Sequence, residues 1–354
     1  MSHLRLLLPM RCASLSVLFS FPCFEHEALP PVQHPSQLAG WYLDVNPKAA
    51  ATKPFWNQLV LFKLLSNRAV PINGVPVGTN SKLFLQAGET LPTILEPTSS
   101  GGLLLMKLVN SAAGERWAKV RNLAAGYWNS NLTMKAEITS GTWPLRIVDG
   151  RSSNVLARLR MSYLRDCDKR VKPSASFKAA YWSSDSTSIA VICLGEPVFP
   201  RGDEEYRESL LYVWDWKRMS FKFIDRAVSA VWLSSSRIAY VSAYPVLEGR
   251  RNILERNWPT TKVLRQITSR FNWPPCVSTV IDLDSSKVLA RSYGSYVVAW
   301  GKRNNSFLCL VRDGDFGLKL EFRDEVLQAT KGPYVPIRFP YGDARHFESS
   351  FLLP

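Results

Sequence analysis

The sequence predicts an all-β protein built from repeated β-hairpins, and three observations support this prediction. A twelve-residue segment occurs twice, at 147–158 and at 280–291, and both copies contain an aspartate, a Ser-Ser pair and the run Val-Leu-Ala-Arg. After residue 120, a strand pattern that ends in tryptophan is followed several times by a polar turn and an apolar strand. The chain of 354 residues also contains 12 tryptophans, a number typical of sheets that pack against one another.

The twelve-residue segment has an aspartate after two aliphatic residues, and a weaker copy at 213–223 keeps it. The three residues are Asp149, Asp215 and Asp282, separated by 66 and 67 positions. Asp and Ser side chains near a turn usually bond their own backbone, so we expect these aspartates to stabilise hairpin turns. A metal-binding or catalytic role is the less favoured alternative.

The second pattern places a tryptophan at the end of a strand, before a polar turn. The copies contain Trp128, Trp182, Trp232 and Trp300, with spacings of 54, 50 and 68 residues. Large aromatic side chains at periodic strand positions usually pack, so we expect them to cover the seams between neighbouring sheets.

Two hairpins per repeat give a four-stranded sheet, which cannot bury both of its faces alone and must stack on its copies. Radial stacking of such sheets is a β-propeller, which leaves only short edges exposed. We therefore predict a propeller-like array of four-stranded blades, irregular or incomplete, with three or four blades after residue 120. Residues 40–115 are expected to supply one or two more. A β-sandwich is the alternative, since short strands with turn signals also suit it.

The segment AAYWSSDSTSIAVICL, followed by LLYVWDWKRMSFKFID, resembles the TolB-type and WD-type propeller repeat over roughly residues 120–325. In that repeat a W-S-x-D-x-x-x-I-A hairpin alternates with a strand that ends in a hydrophobic residue and aspartate. The matching residues are Trp182, Ser183, Asp185, Ile189, Ala190, Val213, Trp214 and Asp215. The resemblance implies a propeller that interacts with protein through its loops.

The chain divides into four predicted segments. Residues 1–24 are a candidate signal peptide, because an apolar run follows basic residues. Residues 25–55 read as a Pro-rich linker or edge segment, 56–330 as the propeller-like domain and 331–354 as a C-terminal tail. No apolar run is long enough for a transmembrane helix. We expect an exported protein, periplasmic or secreted, with a cytoplasmic protein as the alternative.

The chain is strongly basic, with a formal net charge of +15 and a pI near 9.7. Such a balance favours anionic partners. Basic residues are densest at 158–172 and at 250–270. In the second stretch the candidate anion-binding residues are Arg250, Arg251, Arg256, Lys262, Arg265 and Arg270. A solvated loop face is the alternative interpretation of this charge.

No motif for catalysis or cofactor binding stands out. The four histidines lack metal-ligand spacing, and the chain has no nucleophile elbow, phosphate-binding loop or dinucleotide fingerprint. We predict no cofactor, no metal and no identifiable catalytic residue. The favoured function is a non-enzymatic binding or scaffold protein that recognises a protein or an acidic polymer. A glycan-active hydrolase or lyase with a site in the propeller channel, and a polyanion-binding surface protein, remain alternatives. Nucleic acid is not a favoured partner.

The cysteines give two different predictions. Cys193 and Cys309 lie in apolar strand-like runs and are expected to be buried. Cys167 and Cys276 are expected in loops, and the sequence leaves their oxidation state open.

Overall fold

The computed structural model describes residues 40–45, 59–65, 68–71, 81–87, 89, 91–111, 114–140, 142–168, 171, 176–197, 207–243, 276–302, 305–313, 317–330, 335–337 and 351–352. The chain separates into two compact units, residues 1–34 and 35–354, and every described residue belongs to the second. The predicted signal peptide therefore lies outside the described residues.

The secondary structure is almost entirely β. The strands are β1 (Gly40–Val45), β2 (Leu59–Leu65), β3 (Arg68–Pro71), β4 (Lys82–Phe84), β5 (Thr93–Pro97), β6 (Leu103–Ser111), β7 (Gly114–Leu123), β8 (Tyr127–Trp128), β9 (Met134–Ile138), β10 (Leu145–Asp149), β11 (Val155–Leu159), β12 (Ser176–Trp182), β13 (Ser188–Pro197), β14 (Arg207–Asp215), β15 (Ser220–Arg226), β16 (Ser229–Trp232), β17 (Arg237–Ala243), β18 (Cys276–Asp282), β19 (Lys287–Tyr293), β20 (Ser295–Gly301), β21 (Ser306–Asp313), β22 (Gly317–Arg323), β23 (Val335–Ile337) and β24 (Phe351–Leu352). The helix α1 (Met161–Cys167) lies between β11 and β12.

Within the described residues these strands form six four-stranded antiparallel sheets. Five are built from consecutive strands, and we call them blade 2 (β4–β7), blade 3 (β8–β11), blade 4 (β12–β15), blade 5 (β16–β19) and blade 6 (β20–β23). Blade 1 has the order β24-β1-β2-β3, so a strand from the end of the chain pairs with the first one.

The blades are arranged in a ring. The first strands of successive blades contact each other from β8 through β12, β16 and β20 to β24, and β24 contacts β4. Four-stranded antiparallel sheets that meet along their first strands are the blades of a β-propeller. The predicted all-β propeller is confirmed, and the β-sandwich alternative is not what the strands form.

The middle strands of a blade are buried on both faces. In β13, Ile189, Val191 and Cys193 pack in a core shared with blade 3, whereas Ala190 and Ile192 pack in a core shared with blade 5. Because successive side chains of a strand point to opposite faces, each blade fills two seams at once. This explains why the central strands read as continuous apolar runs rather than as alternating patterns.

Two segments outside the predicted domain of residues 56–330 contribute strands to the sheets. β1 lies in the segment 25–55, which was predicted to be a linker or an edge segment, and β23 and β24 lie in the predicted tail 331–354. The strands beyond residue 330 left no clear pattern in the sequence. The physical reason is that β23 and β24 are only three and two residues long, and β24 pairs with the far end of the chain.

Helix α1 seals the seam between blades 3 and 4. Its Met161 and Leu164 are buried in the core that the two blades share, and the Tyr163 hydroxyl donates a hydrogen bond to the Met219 carbonyl at 3.3 Å. The described residues contain no helix that is long and apolar enough to cross a membrane.

The cysteines confirm one prediction and correct the other. Cys193 and Cys309 are fully buried, as expected for small residues of core strands. Cys276 does not lie in a loop, because it begins β18, pairs with Ala243 and is a buried thiol that donates to the Ser295 carbonyl at 3.4 Å. Cys167 is likewise not in a loop but is the last residue of α1. The Pro-Pro pair just before Cys276 indicated a loop, but the strand starts immediately afterwards.

Candidate functional site

The repeated tryptophans lie near the ends of the first strands of four blades. Trp128, Trp182 and Trp232 are the last residues of β8, β12 and β16, and Trp300 is the last but one of β20. The indole groups of Trp182 and Trp232 connect neighbouring blades, whereas the Trp128 Nε1 donates to the Ala124 carbonyl at 3.0 Å.

The Trp182 Nε1 donates to the Tyr127 carbonyl at 2.7 Å, and the Trp232 Nε1 donates to the Tyr181 carbonyl at 2.9 Å. In both cases the acceptor is the residue that precedes the tryptophan of the previous blade. The indole therefore satisfies its donor across the seam while its ring adds buried apolar area.

The repeated aspartates end the third strands of blades 3, 4 and 5 and accept hydrogen bonds from the turns that follow. The Oδ1 atoms accept backbone N–H bonds two or three residues ahead: Asp149 from Arg151 (3.0 Å) and Ser152 (2.7 Å), Asp215 from Lys217 (3.1 Å) and Arg218 (2.9 Å), and Asp282 from Ser285 (2.8 Å). The fourth residue after each aspartate has a positive φ, 60° at Ser153, 55° at Met219 and 57° at Ser286. The three turns therefore have one geometry.

These hydrogen bonds also set the charge of the turn aspartates. The backbone N–H of Ser152 is the main reason that the pKa of Asp149 lies below its ordinary value, and Ser285 does the same for Asp282. Hydrogen bonds to the charged form favour it. The charged form of Asp149 and of Asp282 is therefore stabilised by hydrogen bonds within its own turn.

A further aspartate of this kind was missed in the sequence. Asp324 directly follows β22 in blade 6, and its Oδ1 accepts N–H bonds from Val326 at 3.1 Å and Gln328 at 2.8 Å. Leu327 has a φ of 62°. The segment lacks the Ser-Ser pair of the other copies, so only the apolar strand before the aspartate could have indicated it.

The predicted anion-binding residues between 250 and 270 lie outside the described residues. The segment that carries them joins β17 to β18, and the residues that flank it, Ala243 and Cys276, pair with each other. Among the described residues, no group of three or more His, Cys, Asp or Glu side chains could hold a metal ion.

The structure describes the start of the first basic stretch, residues 158–172. Two of its arginines form a compact cluster with a tryptophan in blade 3. The Arg160 Cζ lies 4.3 Å from the centroid of the Trp143 ring, and the Arg158 Cζ lies 5.8 Å from it. We call Trp143, Arg158 and Arg160 the Trp143 cluster. Both distances are within the range of cation–π attraction.

Backbone contacts hold the Trp143 cluster in place. Thr139 Oγ1 donates to the Trp143 carbonyl at 2.7 Å, and the Thr139 N–H donates to the Pro144 carbonyl at 2.9 Å. The Met161 N–H, at the start of α1, contacts the Thr142 carbonyl at 3.5 Å. The tryptophan is thus fixed next to the point where β11 passes into α1.

The strand register shows which charges surround the cluster. Arg146 of β10 pairs with Glu137 on one side and with Arg158 on the other, so the three side chains form one row across blade 3. Glu137 binds Arg146 at 2.8 Å and Lys135 at 2.6 Å. The Glu137 carboxylate is therefore shared by Lys135 and by Arg146, the neighbour of Arg158 in the row.

Neither Arg158 nor Arg160 has an ion-pair or hydrogen-bond partner for its guanidinium in the described part of the chain. Both side chains are exposed. Next to them, α1 borders an open depression lined by Ser162, Arg165, Asp166 and Val171. The Arg165 Nε is buried without an acceptor in the described residues.

Blade 5 offers an internal comparison. Arg291 occupies the same position of the twelve-residue repeat as Arg158, and its row is Tyr240–Thr279–Arg291. The Tyr240 hydroxyl donates to Asp225 Oδ2 of blade 4 at 2.7 Å. The pKa of Tyr240 is raised mainly by burial and next by the negative charge of Asp225, whereas the positive charge of Arg291 lowers it. In blade 5 the tyrosine of the arginine's row therefore binds a carboxylate, whereas no described carboxylate lies within ion-pair distance of Arg158 or Arg160.

Comparisons with known proteins give structural similarity only. No protein family profile matches the chain. No curated protein matches it either. TolB from Acinetobacter baumannii is 11% identical over 86% of this chain and 67% of its own, with a TM-score of 0.44. An uncharacterized protein from Listeria monocytogenes EGD-e is 12% identical over 72% of this chain and 65% of its own, with a TM-score of 0.36.

A third structure is the β-propeller domain of the Trilobed protease from Pyrococcus furiosus, 12% identical over 47% of this chain and 44% of that chain, with a TM-score of 0.31. The chain thus spans less than two thirds of the Listeria protein and less than half of the Pyrococcus chain. The assignment of a β-propeller rests on the strand pairing described above.

Proposed function

We propose that this propeller is a non-enzymatic binding or scaffold domain that recognises an acidic protein or polymer. The observation that carries the proposal is the Trp143 cluster, in which two exposed arginines lie against one indole ring and have no carboxylate partner among the described residues. Unneutralised arginines held in place by the fold are suited to bind oxyanions.

The electrostatics of the whole chain supports this function. A formal charge of +15 attracts polyanions over long distances and raises the rate of their encounter with the protein. The cluster itself then supplies short-range hydrogen bonds. An arginine held against a tryptophan ring keeps its N–H groups available for a ligand. Because the ring already restricts the side chain, the arginine loses less conformational freedom when the ligand binds.

The glycan-active alternative requires two carboxylates that face each other across a pocket, about 5–10 Å apart. The turn aspartates of blades 3, 4 and 5 do not support this arrangement. Each of them accepts hydrogen bonds within its own turn. A binding function therefore fits the described propeller better than a hydrolytic one.

We also propose that the protein is exported, because residues 1–24 have the pattern of a signal peptide. N-terminal sequencing of the protein from its native host tests this. A new N-terminus close to residue 25 supports export, and retention of the full N-terminus in a cytosolic fraction contradicts it.

The binding function is tested with the full chain on immobilised dextran sulfate and polyglutamate, with uncharged dextran as the control matrix. We expect retention on the two acidic matrices at low salt and elution as the salt concentration rises, because bound counterions are released on binding. Lack of retention at low salt, or elution that does not depend on salt, would contradict the proposal.

A further inference from the structure

We propose that the Trp143 cluster is the ligand-binding site and that its ligand is an acidic polysaccharide with closely spaced anionic groups. This inference rests on the proposed function and names both the residues and the class of polymer. It is carried by the spacing of Arg158 and Arg160, by the position of both beside the Trp143 ring and by the absence of a carboxylate partner in the part of the chain that the structure describes.

The spacing of the two arginines suits neighbouring charges on one polymer chain. Arg158 lies in β11, and Arg160 continues its extended backbone with φ −84° and ψ 137°. Residues two apart on an extended strand point to the same side and are about 6–7 Å apart. Sulfate or carboxylate groups on adjacent sugar units can therefore meet one guanidinium each.

Trp143 fixes the arginines rather than offering a free aromatic surface. With the Arg160 guanidinium 4.3 Å from the centroid of its ring, one face of the indole is covered. Binding of single-stranded nucleic acid depends on open aromatic faces on which bases stack. The cluster therefore favours an anionic chain held by its charged groups over a nucleic acid held by its bases.

The register also distinguishes this site from ordinary surface charge. Cations on a protein surface are usually interspersed with charges of opposite sign, and in blade 3 Arg146 and Lys135 share Glu137. Arg158 ends that row beyond the carboxylate, and Arg160 lies two residues further along the chain. A ligand carboxylate or sulfate would supply the partner that the described residues do not.

The experiment measures the affinity of the full chain for dextran sulfate, alginate, polyglutamate and oligo(dT) by fluorescence anisotropy or calorimetry. The variants are Arg158→Ala, Arg160→Ala and Arg160→Lys, and Arg291→Ala is the matched control. The control removes the same charge from the same repeat position of blade 5, away from a tryptophan. Unchanged thermal unfolding shows that each variant is folded.

We expect Arg158→Ala and Arg160→Ala to weaken binding of dextran sulfate and alginate about tenfold or more, because each removes a charge-assisted hydrogen bond. Arg291→Ala is expected to change it about twofold or less, as for removal of a distant surface charge. Arg160→Lys keeps the charge but loses the planar fork, so it should restore only part of the affinity.

The possible failures are distinguishable. If the wild-type chain binds none of the four polymers, the proposed function itself is wrong. If it binds them but Arg158→Ala and Arg160→Ala weaken binding no more than Arg291→Ala, the function stands and this site is wrong. If polyglutamate or oligo(dT) binds more tightly than both polysaccharides, the polymer class is wrong.

Discussion

Removal of a single buried hydroxyl tests whether the blades are coupled by specific polar contacts. Tyr240 is only 2% exposed, and its hydroxyl donates to Asp225 Oδ2 at 2.7 Å across the seam between blades 4 and 5. The Tyr240→Phe change keeps the ring and its packing but removes this bond. A hydrogen bond to a charged group contributes about 1.5–3 kcal/mol, and we expect a loss near the lower value.

The lower value applies because Asp225 is only half-buried and keeps a second hydrogen bond, from the Arg226 N–H at 2.8 Å. Urea unfolding at about pH 7 measures the loss as a shift of the midpoint at constant slope. The matched control is Tyr293→Phe in the same blade, because Tyr293 is 41% exposed. That variant should remain within about 0.5 kcal/mol of the wild type.

The same pair predicts how the effect depends on pH. Since burial and Asp225 hold the pKa of Tyr240 well above its ordinary value near 10, the neutral phenol is favoured in the folded state. Its contribution is complete below about pH 10 and falls as the pH rises further, because the unfolded chain then loses the proton first. The difference between wild type and Tyr240→Phe should therefore shrink in alkali. If Tyr240→Phe unfolds at the same urea concentration as Tyr293→Phe, the seam bond does not stabilise the propeller.

Three further outcomes are expected. The Trp232→Phe change should lower the free energy of unfolding by about 1 kcal/mol or more in urea titrations, because it removes the bond to the Tyr181 carbonyl along with part of the ring; an unchanged midpoint contradicts the seam role. Asp282→Asn should lower the urea midpoint at about pH 7 but much less at about pH 3, because the Ser285 N–H keeps the pKa of Asp282 low and its stabilising charge is lost as the pH falls; an equal difference at both values would refute this. Burial raises the pKa of Cys193 to about 12, so mass spectrometry should find it unlabelled by a thiol reagent in the native protein and labelled in denaturant; rapid native labelling would show that the core is open.

The repeat made most of the fold predictable. Local hairpins leave a pattern in a single sequence, because turn residues, strand lengths and the tryptophan recur at short range. For this reason the blades after residue 120 could be inferred. The closure of blade 1 by β24 could not be inferred, since β24 and β1 come from opposite ends of the chain and share only Trp41–Leu352 and Tyr42–Phe351 as partners.

The Trp143 cluster was only partly predictable. The density of basic residues at 158–172 is visible in the sequence, but Trp143 lies in a separate segment and meets Arg160 only because of how β10 and β11 pair. The neutralisation of Arg146 by Glu137 likewise depends on register, which a single sequence does not specify. The candidate anion-binding residues at 250–270 lie outside the described residues, and their role stays a prediction.

Blades 3 and 5 share the residues that form the repeated turn but differ in the side chains of one row across the sheet. Both keep the turn aspartate, the positive-φ residue four positions later and the arginine of the outer strand. The rows differ on the two strands next to the arginine strand, because blade 3 has Glu137 and Arg146 at the positions of Tyr240 and Thr279 in blade 5.

In blade 5 the row ends in a contact with the neighbouring blade, because Tyr240 bonds Asp225 and the arginine lies near that pair. In blade 3 the position of Tyr293 is taken by Arg160, and this second arginine lies against Trp143. A substitution that places two like charges side by side opposes folding unless something else neutralises them. The described residues supply no such carboxylate, and the anionic partner that we propose would offset the repulsion between the two arginines of blade 3.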